Sequence, residues 1–256
     1  MQTSLRSVVS AALGLIAAAC SMPGGRVQVG YLSAELSGTA SLEASSGGLS
    51  AAARADVEDT FGLREPSDSI YLRAEFDAGL LRVTASGFRY EQTGTGLLEA
   101  SFGDLAAGTL VTSDLRLGAA KAAVTFDVID VGGFRLSPGI GVDLLELDAT
   151  VSSQSIAQSE RVDEILPMPL VVLQGEVDFG PAAVVVEVGG MDVELGDLGG
   201  QVWDAEAMLS LRPTSIIELF AGYRWISVDA HGLSSDRDFR TDFELQGWFA
   251  GGGFTF

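Results

Sequence analysis

The 256-residue chain has few of the residues that cross-link, bind metals or catalyse. It contains one cysteine and one histidine, so no disulfide forms within the chain and no Cys/His metal cluster is available. Its 15 basic residues are outnumbered by 35 acidic ones, and the net charge of −20 argues against binding to nucleic acid or to anionic lipid surfaces. No run of about eighteen apolar residues follows the N-terminal segment, which excludes a transmembrane helix in the remainder.

The hydrophobic residues are nevertheless abundant. They make up 47% of the chain, and the mean hydropathy is +0.30 despite the many acids. A chain that is apolar on average, acidic and free of long apolar runs must distribute its hydrophobicity finely. Together with 32 glycines, this distribution favours β-structure.

Apolar and polar residues alternate with a period of two along most of the chain. Residues 70–77 place Ile70, Leu72, Ala74 and Phe76 on one face, and residues 202–211 place Trp203, Ala205, Ala207, Leu209 and Leu211 on one face. Phase slips near Gly87 and Gly118 are interpreted as β-bulges. Ten strands are predicted, near 27–43, 70–77, 80–91, 108–128, 133–149, 166–179, 181–192, 202–211, 214–228 and 240–256.

The predicted connections alternate between short and long. Short ones fall at 77–79, 130–133, 179–181 and 212–214, and longer polar ones at 44–67, 92–107, 150–165, 193–200 and 229–239. This rhythm is typical of an up-and-down antiparallel transmembrane β-barrel with tight periplasmic turns and longer outer loops. We therefore predict an all-β fold, a barrel of about ten strands, with eight as the alternative.

The N-terminus has the pattern of a secretory signal peptide: Arg6, then a short apolar run that ends in Ala17-Ala18-Ala19-Cys20. The segment resembles the lipobox of bacterial lipoproteins, and that resemblance implies lipidation of Cys20. Ordinary cleavage after Ala19, with Cys20 there by chance, is the alternative. The predicted organisation is a signal peptide at 1–19, a lipidated segment at 20–26 and a barrel domain at 27–256.

The last six residues end in Phe254-Thr255-Phe256, with Gly251 five positions before the final phenylalanine. They resemble the C-terminal assembly signal of bacterial outer-membrane barrels, and the layout of the whole chain resembles small barrels of the OmpW-like and YfaZ-like groups. The resemblance implies an outer-membrane location, with outer-membrane lipids and the barrel-assembly machinery as partners. No oligomeric state is predicted.

In a barrel whose apolar faces meet lipid, the polar faces line the lumen. The residues expected there are Arg73, Glu75, Asp77, Arg82, Arg116, Lys121, Asp127, Arg135, Asp143, Glu176, Asp178, Glu187, Asp204, Glu206, Glu218, Arg224 and Glu244. Buried charges must pair, so we expect a lumen filled by salt bridges, with a narrow cation-preferring passage for small solutes as the alternative. Interfacial girdles are expected from Tyr71, Phe88, Tyr90, Phe134, Trp203, Tyr223, Trp225, Trp248, Phe254 and Phe256, with a β-sandwich core as the alternative.

Candidate catalytic chemistry centres on His231, which is predicted to lie in the last outer loop. Asp229 and His231 have the spacing of the Asp–His pair in omptin-like barrel proteases. Those proteases also need an acidic pair on the opposite side, for which Asp56 or Asp59 is proposed only by analogy. No nucleophile is fixed beside His231: Ser234 lies three residues away, whereas barrel deacylases use a spacing of two. We therefore predict no catalytic residues, no cofactor and no metal site.

The sequence thus predicts an outer-membrane barrel with a structural or interaction role, or a narrow restricted passage. A barrel enzyme acting on envelope lipid or peptide through His231 is one alternative. A soluble, lipid-tethered periplasmic β-sandwich or lipocalin-like binder is the other.

Overall fold

The computed structural model describes residues 24–42, 55–63, 65–99, 101–102, 104–154, 158–195, 198–234 and 237–256. Twelve strands run through them: β1 Gly24–Leu42, β2 Ala55–Asp56, β3 Ser67–Ala78, β4 Leu81–Leu97, β5 Leu110–Phe126, β6 Ile129–Val131, β7 Phe134–Ser153, β8 Ser159–Asp178, β9 Ala182–Leu195, β10 Leu198–Leu211, β11 Ile217–Ser234 and β12 Arg237–Thr255. One short helix, α1 Val57–Thr60, begins where the Asp56 carboxylate accepts a hydrogen bond from the backbone N–H of Asp59 at 2.8 Å. No helix among these residues is long and apolar enough to cross a membrane.

The ten long strands close into one antiparallel barrel. Each pairs with the next, and β12 returns to pair with β1 from Arg26–Thr255 to Leu42–Phe239. The short strands are additions, because β2 pairs with the outer part of β1 and β6 pairs with β7. The predicted ten-stranded barrel is confirmed, and the eight-stranded alternative is wrong.

The two ends of the barrel differ in their connections. We call the end that carries Gly24, Thr255 and the short turns the inner end, and the opposite end the outer end. The predicted turns after β3, β8 and β10 are confirmed, whereas 150–165, 193–200 and 229–239, predicted as long loops, lie mostly within strands. Described polar residues such as Arg161, Asp163 and Asp229 face outward on these extended strands, so their polarity does not indicate a loop.

The alternation of inward and outward residues is unbroken where bulges were predicted. The β4–β5 register runs from Leu81–Phe126 to Leu97–Leu110 without an inserted residue, and the β5–β7 register passes Gly118 in the same way. The predicted bulges at Gly87 and Gly118 are therefore wrong. The polarity of the two faces exchanges instead: β4 turns Arg82, Thr84 and Ser86 inward in the inner half, and Phe88 and Tyr90 inward in the outer half.

The outside of the inner half is an apolar band. Its members include Val29, Ile70, Leu72, Val124, Ile140, Leu144, Val171, Leu173, Val186, Leu209 and Leu219, all of them more than a third exposed. Trp248 and Phe256 lie eight residues apart on the last strand and its end, which at about 3.3 Å per residue and a tilt of about 40° spans roughly 20 Å. This height approaches the apolar band of about 25 Å that membrane barrels present to lipid.

Aromatic side chains border this band. Of the predicted girdle residues, those that point outward are Phe134, Trp203, Tyr223, Trp225, Trp248, Phe254 and Phe256. Tyr71, Phe88 and Tyr90 were assigned wrongly, because they point into the lumen and are buried there. Tyr71 stacks on Phe249 with ring centroids 4.5 Å apart, so the lumen contains its own aromatic layer.

The outer half of the lumen is packed by the chain itself. Residues 55–63 lie within it, and Val57, Phe61 and Leu63 are buried with Phe102 and Leu115. Two inward-facing glycines of β4 make room for this segment. An ideal Cβ on Gly96 would lie 2.0 Å from the Thr60 carbonyl oxygen, and one on Gly94 would lie 2.4 Å from the Gly62 carbonyl oxygen.

The ladder is incomplete at two seams of the wall, at β3–β4, where it stops at Leu72–Gly87, and at β8–β9. The pairing of β8 with β9 extends from Asp178–Ala183 to Val171–Gly190 and stops, although both strands continue. Among the described residues, 159–170 pair with β7 but have no ladder partner on the β9 side. We call this interruption of the ladder, between residues 165–170 and Met191, the β8–β9 gap.

Candidate functional site

The inner half of the lumen contains a group of charged side chains supplied by nine of the ten barrel strands. We call it the charged cluster. Its acids are Glu75, Asp143, Glu176, Glu187, Asp204, Glu206 and Glu218, and its bases are Arg26, Arg73, Arg82, Lys121 and Arg224. Alternation places them inside, since each lies on the face opposite the apolar band.

Arg73 lies at the centre of one part of the cluster. Its Nη1 donates to Glu206 Oε1 at 2.6 Å, while its Nη2 lies 3.5 Å from both Glu187 Oε2 and Glu75 Oε2. The Tyr71 hydroxyl donates to the second Glu206 oxygen at 2.8 Å. Strands from opposite walls are thereby linked across the lumen.

A second part joins β5, β9, β10 and β11. Lys121 Nζ lies 2.7 Å from Glu187 Oε1 and 3.2 Å from Asp204 Oδ2. Arg224 Nη2 lies 2.6 Å from the same Asp204 oxygen and 4.0 Å from Asp143 Oδ2. The guanidinium carbon of Arg224 also lies 5.2 Å from the ring centre of Phe88, so the outermost cation of the cluster contacts the first apolar layer above it.

The inner mouth is closed by a third part. Arg82 Nη1 lies 2.9 Å from Glu176 Oε2, and Arg26 Nη2 lies 2.7 Å from Glu75 Oε1. Glu218, on the β11 wall, accepts a short hydrogen bond from Ser210 and lies 3.7 Å from Arg26 Nη1. The members of the cluster are 12% exposed or less, so little open passage remains between them.

Charges so deeply buried are tolerated only when they are paired, because removing an ion from water costs several kcal/mol. The cluster meets this condition by sharing acids between bases, as Glu187 is shared by Lys121 and Arg73. Seven acids against five bases leave it net acidic. Chemically, the arrangement can hold the barrel wall together and obstruct the lumen, and any residual passage would favour cations.

Above the charged cluster the lumen is apolar. A cavity of about 80 Å³, the outer cavity, lies between β1, β5, β7, β8, β12 and the inserted segment 55–63. Its walls include Leu36, Phe61, Leu115, Leu147, Val162 and Phe243. Such a cavity has the chemistry of a site for a small apolar group.

The predicted lumen residues are mostly placed correctly. Arg116 and Glu244 are wrong, because both face outward on the outer half, where polar side chains point to the outside. Two residues of this region were not among the predicted lumen residues. Arg26 belongs to the charged cluster, and Tyr71 donates a hydrogen bond to Glu206 of the cluster. The inward residues of β1 change from polar to apolar, from Arg26 to Leu32 and Ala34. Period-two alternation therefore did not identify which face of β1 lines the lumen.

His231 lies in β11 and not in a loop, opposite Arg240 of β12 and Gly199 of β10. The predicted position in the last outer loop is therefore wrong, because the strand pairing continues through it. Asp229 and His231 both face the outside of the barrel, and Asp229 lies 3.7 Å from Arg240 Nη2. Asp56 caps α1 within the lumen. The structure therefore does not bring the Asp229–His231 pair together with Asp56, which was proposed as its acidic counterpart.

Of the two predicted terminal features, only the C-terminal one lies among the described residues. Cys20 lies outside the described residues. Phe254 and Phe256 are exposed on the outside of the barrel, 63% and 54% respectively. Gly251 faces the lumen, where a Cβ would lie 2.2 Å from the Val29 carbonyl oxygen. Their role in assembly stays a prediction.

No protein-family model matches the chain, and no curated protein matches it. Solved structures do. The outer membrane protease OmpT from Escherichia coli matches with a TM-score of 0.57 at 9% identity, over 92% of this chain and 98% of that one. The protein Ail of Yersinia pestis matches over 91% of this chain and 98% of that one, at 10% identity and a TM-score of 0.40. The outer membrane protein AlkL matches over 92% and 90%, at 11% identity and 0.43.

The similarity to OmpT covers nearly the whole of both chains, but the sequence identity is only 9%. The comparison therefore supports the fold alone. The chain has the fold of the small β-barrels that bacteria place in their outer membrane. Such barrels serve varied roles, so the fold leaves the function to be argued from the lumen.

Proposed function

We propose that the protein is an integral outer-membrane β-barrel with a structural or interaction role, whose lumen is closed by the charged cluster. The observation that carries this proposal is the cluster itself, in which paired charges from nine strands meet across the inner half of the lumen. Barrels of about eight strands are filled by their side chains, whereas porin channels need about sixteen. With ten strands and this filling, a general solute pore is not supported.

The outside of the barrel supports a membrane location. The apolar band with aromatic borders covers the inner half all round, and exposed residues such as Leu72, Ile140 and Trp248 would contact lipid. Outer-membrane lipids are therefore proposed as partners. The barrel-assembly machinery is proposed as a second partner, because the chain's last residues resemble the C-terminal signal that it recognises.

Conductance in planar bilayers tests the closed lumen. We expect the wild-type protein to give no steady channel current. The double variant Asp204→Ser/Arg224→Ser, which removes a bridge at 2.6 Å, should raise the conductance with a preference for cations. Asp148→Ser/Arg161→Ser is the matched control, because that exposed pair lies on the outside. A steady current through the wild-type protein would replace the closed barrel by the narrow-passage alternative.

We further propose that the barrel has no catalytic activity. The outward orientation of Asp229 and His231, away from the lumen, supports this, since a general base needs a nucleophile and an orienting partner within reach. The test compares wild type and His231→Ala on peptide and phospholipid substrates. Turnover that His231→Ala abolishes would establish the enzyme alternative.

The lipid-tethered soluble binder is tested by Cys20→Ala. We expect this variant to remain in the membrane after a carbonate wash and to migrate differently in gels with and without boiling, as folded barrels do. Release into the soluble fraction would favour the tethered binder.

A further inference from the structure

The β8–β9 gap has a local cause in the sequence. Pro167 and Pro169 are two residues apart, so their ring nitrogens lie on the same side of β8. The ladder with β7 continues through both prolines, which places the missing N–H donors on the β9 side. Two absent donors make continued pairing with β9 unfavourable, and the ladder ends at Val171–Gly190, two residues beyond Pro169.

The outer rim of the β8–β9 gap is apolar. Ile165 is 60% exposed and Val171 is 63% exposed, and Pro167 between them is also exposed. On the β9 side, the Trp203 ring covers outward-facing Gly190, where a Cβ would lie 2.5 Å from it. Met191, the ladder partner of buried Val202, lies on the lumen-facing side and is nevertheless 41% exposed. Trp203 belongs to the outer border of the apolar band, so the interrupted ladder lies where lipid chains would reach the wall in the proposed membrane location.

The inner rim of the β8–β9 gap continues into the apolar lumen. Leu166 and Leu170 are buried and belong to the same apolar core as Val162, which lines the outer cavity. Met168, half-buried between them, packs against that core. Methionine has three flexible side-chain bonds, so it can shift without a backbone change.

We propose that the β8–β9 gap is a lateral entrance from the membrane, and that the outer cavity binds the end of an alkyl chain of a membrane amphiphile. The proposal rests on the membrane location proposed above. The cavity's volume of about 80 Å³ is near half of a cavity of about 150 Å³ that binds benzene. It therefore suits a few terminal carbons of a chain rather than a bulky ring.

The charged cluster fixes the direction of this binding. Asp143 of the cluster is the ladder partner of Met168, so charged groups begin at the level of the gap on its inner side. An apolar chain that passes Met168 can extend outward into the cavity but not inward. The polar headgroup of the amphiphile stays outside the wall.

Photolabelling in lipid vesicles tests the proposal, with a fatty acid that carries a diazirine near its chain end. In the full-length chain with Cys20→Ala, the pair Leu170→Cys/Met191→Cys places two thiols at the first position beyond the end of the ladder. We expect labelling of residues around Leu115 and Val162 when the pair is reduced. Oxidation should lower that labelling about tenfold, the change that corresponds to 1.4 kcal/mol.

Thr112→Cys/Ser152→Cys is the matched control, because these residues face outward across the closed β5–β7 ladder. Its oxidation should leave the labelling unchanged. Met168→Trp, which fills the gap without a disulfide, should reduce labelling in the same way as the oxidised pair.

Two results would overturn the proposal. Labelling of the cavity that neither the disulfide nor Met168→Trp reduces would mean that the chain does not enter through the gap. Labelling confined to outward residues such as Ile140 would mean that the cavity binds no chain. Conductance of the same preparations reports separately on the closed lumen, so failure of the lateral entrance and failure of the closed barrel are distinguishable.

Discussion

The inner and outer halves of the barrel have opposite polarity on the same ten strands. The inner half carries the charged cluster inside and the apolar band outside, whereas the outer half carries leucine, valine and phenylalanine inside and charged residues outside. On β5 the inward residues change from Lys121 and Thr125 to Leu115 and Leu117 with no break in register. The residue type inside the barrel therefore changes without any change in the strand pairing.

The proposed membrane location, with lipid around the inner half only, gives this inversion a simple physical reason. Lipid around the inner half takes the apolar side chains, so the lumen is left with polar groups that must satisfy each other. Water around the outer half makes the hydrophobic effect act inward, as in a soluble barrel. The two halves should consequently respond differently to the same kind of substitution.

The largest difference is expected from the loss of a cation. Arg73→Met should destabilise the barrel by about 3–5 kcal/mol, because it leaves buried Glu206, Glu187 and Glu75 without their shared partner. Arg161→Met, in the exposed outer pair with Asp148, should cost less than about 1 kcal/mol. Urea unfolding in lipid vesicles measures both. Equal effects would show that the charged cluster does not stabilise the inner half.

A smaller difference is expected on the outside. Leu72→Arg should cost about 2–4 kcal/mol, because it places a charge within the apolar band. Thr95→Arg, outward on the outer part of β4, should cost less than about 1 kcal/mol since water surrounds that region. The same unfolding measurement compares them, and a costly Thr95→Arg would mean that the membrane extends over the outer half.

The sequence predicted the strand count and most of the lumen, and its two errors among the predicted lumen residues have one origin. Period-two alternation identifies two faces, and in the inner half the polar face was correctly taken as the lumen for Arg73, Lys121 and Arg224. In the outer half the same rule gave the wrong side for Arg116 and Glu244, because the rule assumes lipid on the outside along the whole strand. The exchange of faces also looked like a bulge at Gly87, although the register there is continuous.

Other features could not be read from the sequence for different reasons. The closing pairs of the charged cluster join residues far apart in sequence, such as Arg73 and Glu206, whose partners depend on the register of every strand between them. The β8–β9 gap depends on which side of β8 faces β9, although Pro167 and Pro169 were a visible signal for an interrupted ladder. The outer cavity requires the insertion of residues 55–63, which alternation does not report.

The smallest expected effect concerns the boundary between the two halves, which the tryptophans mark. All three point outward, and Trp248 is 72% exposed against 44% for Trp203. In vesicles, lipids brominated near the headgroup should quench tryptophan fluorescence more than lipids brominated near the chain end, because aromatic residues border the band. Trp248→Phe should remove the largest share of that quenching, and Trp203→Phe a smaller one. Stronger quenching from the chain end would move the boundary outward, and the inversion of polarity would then no longer coincide with the edge of the membrane.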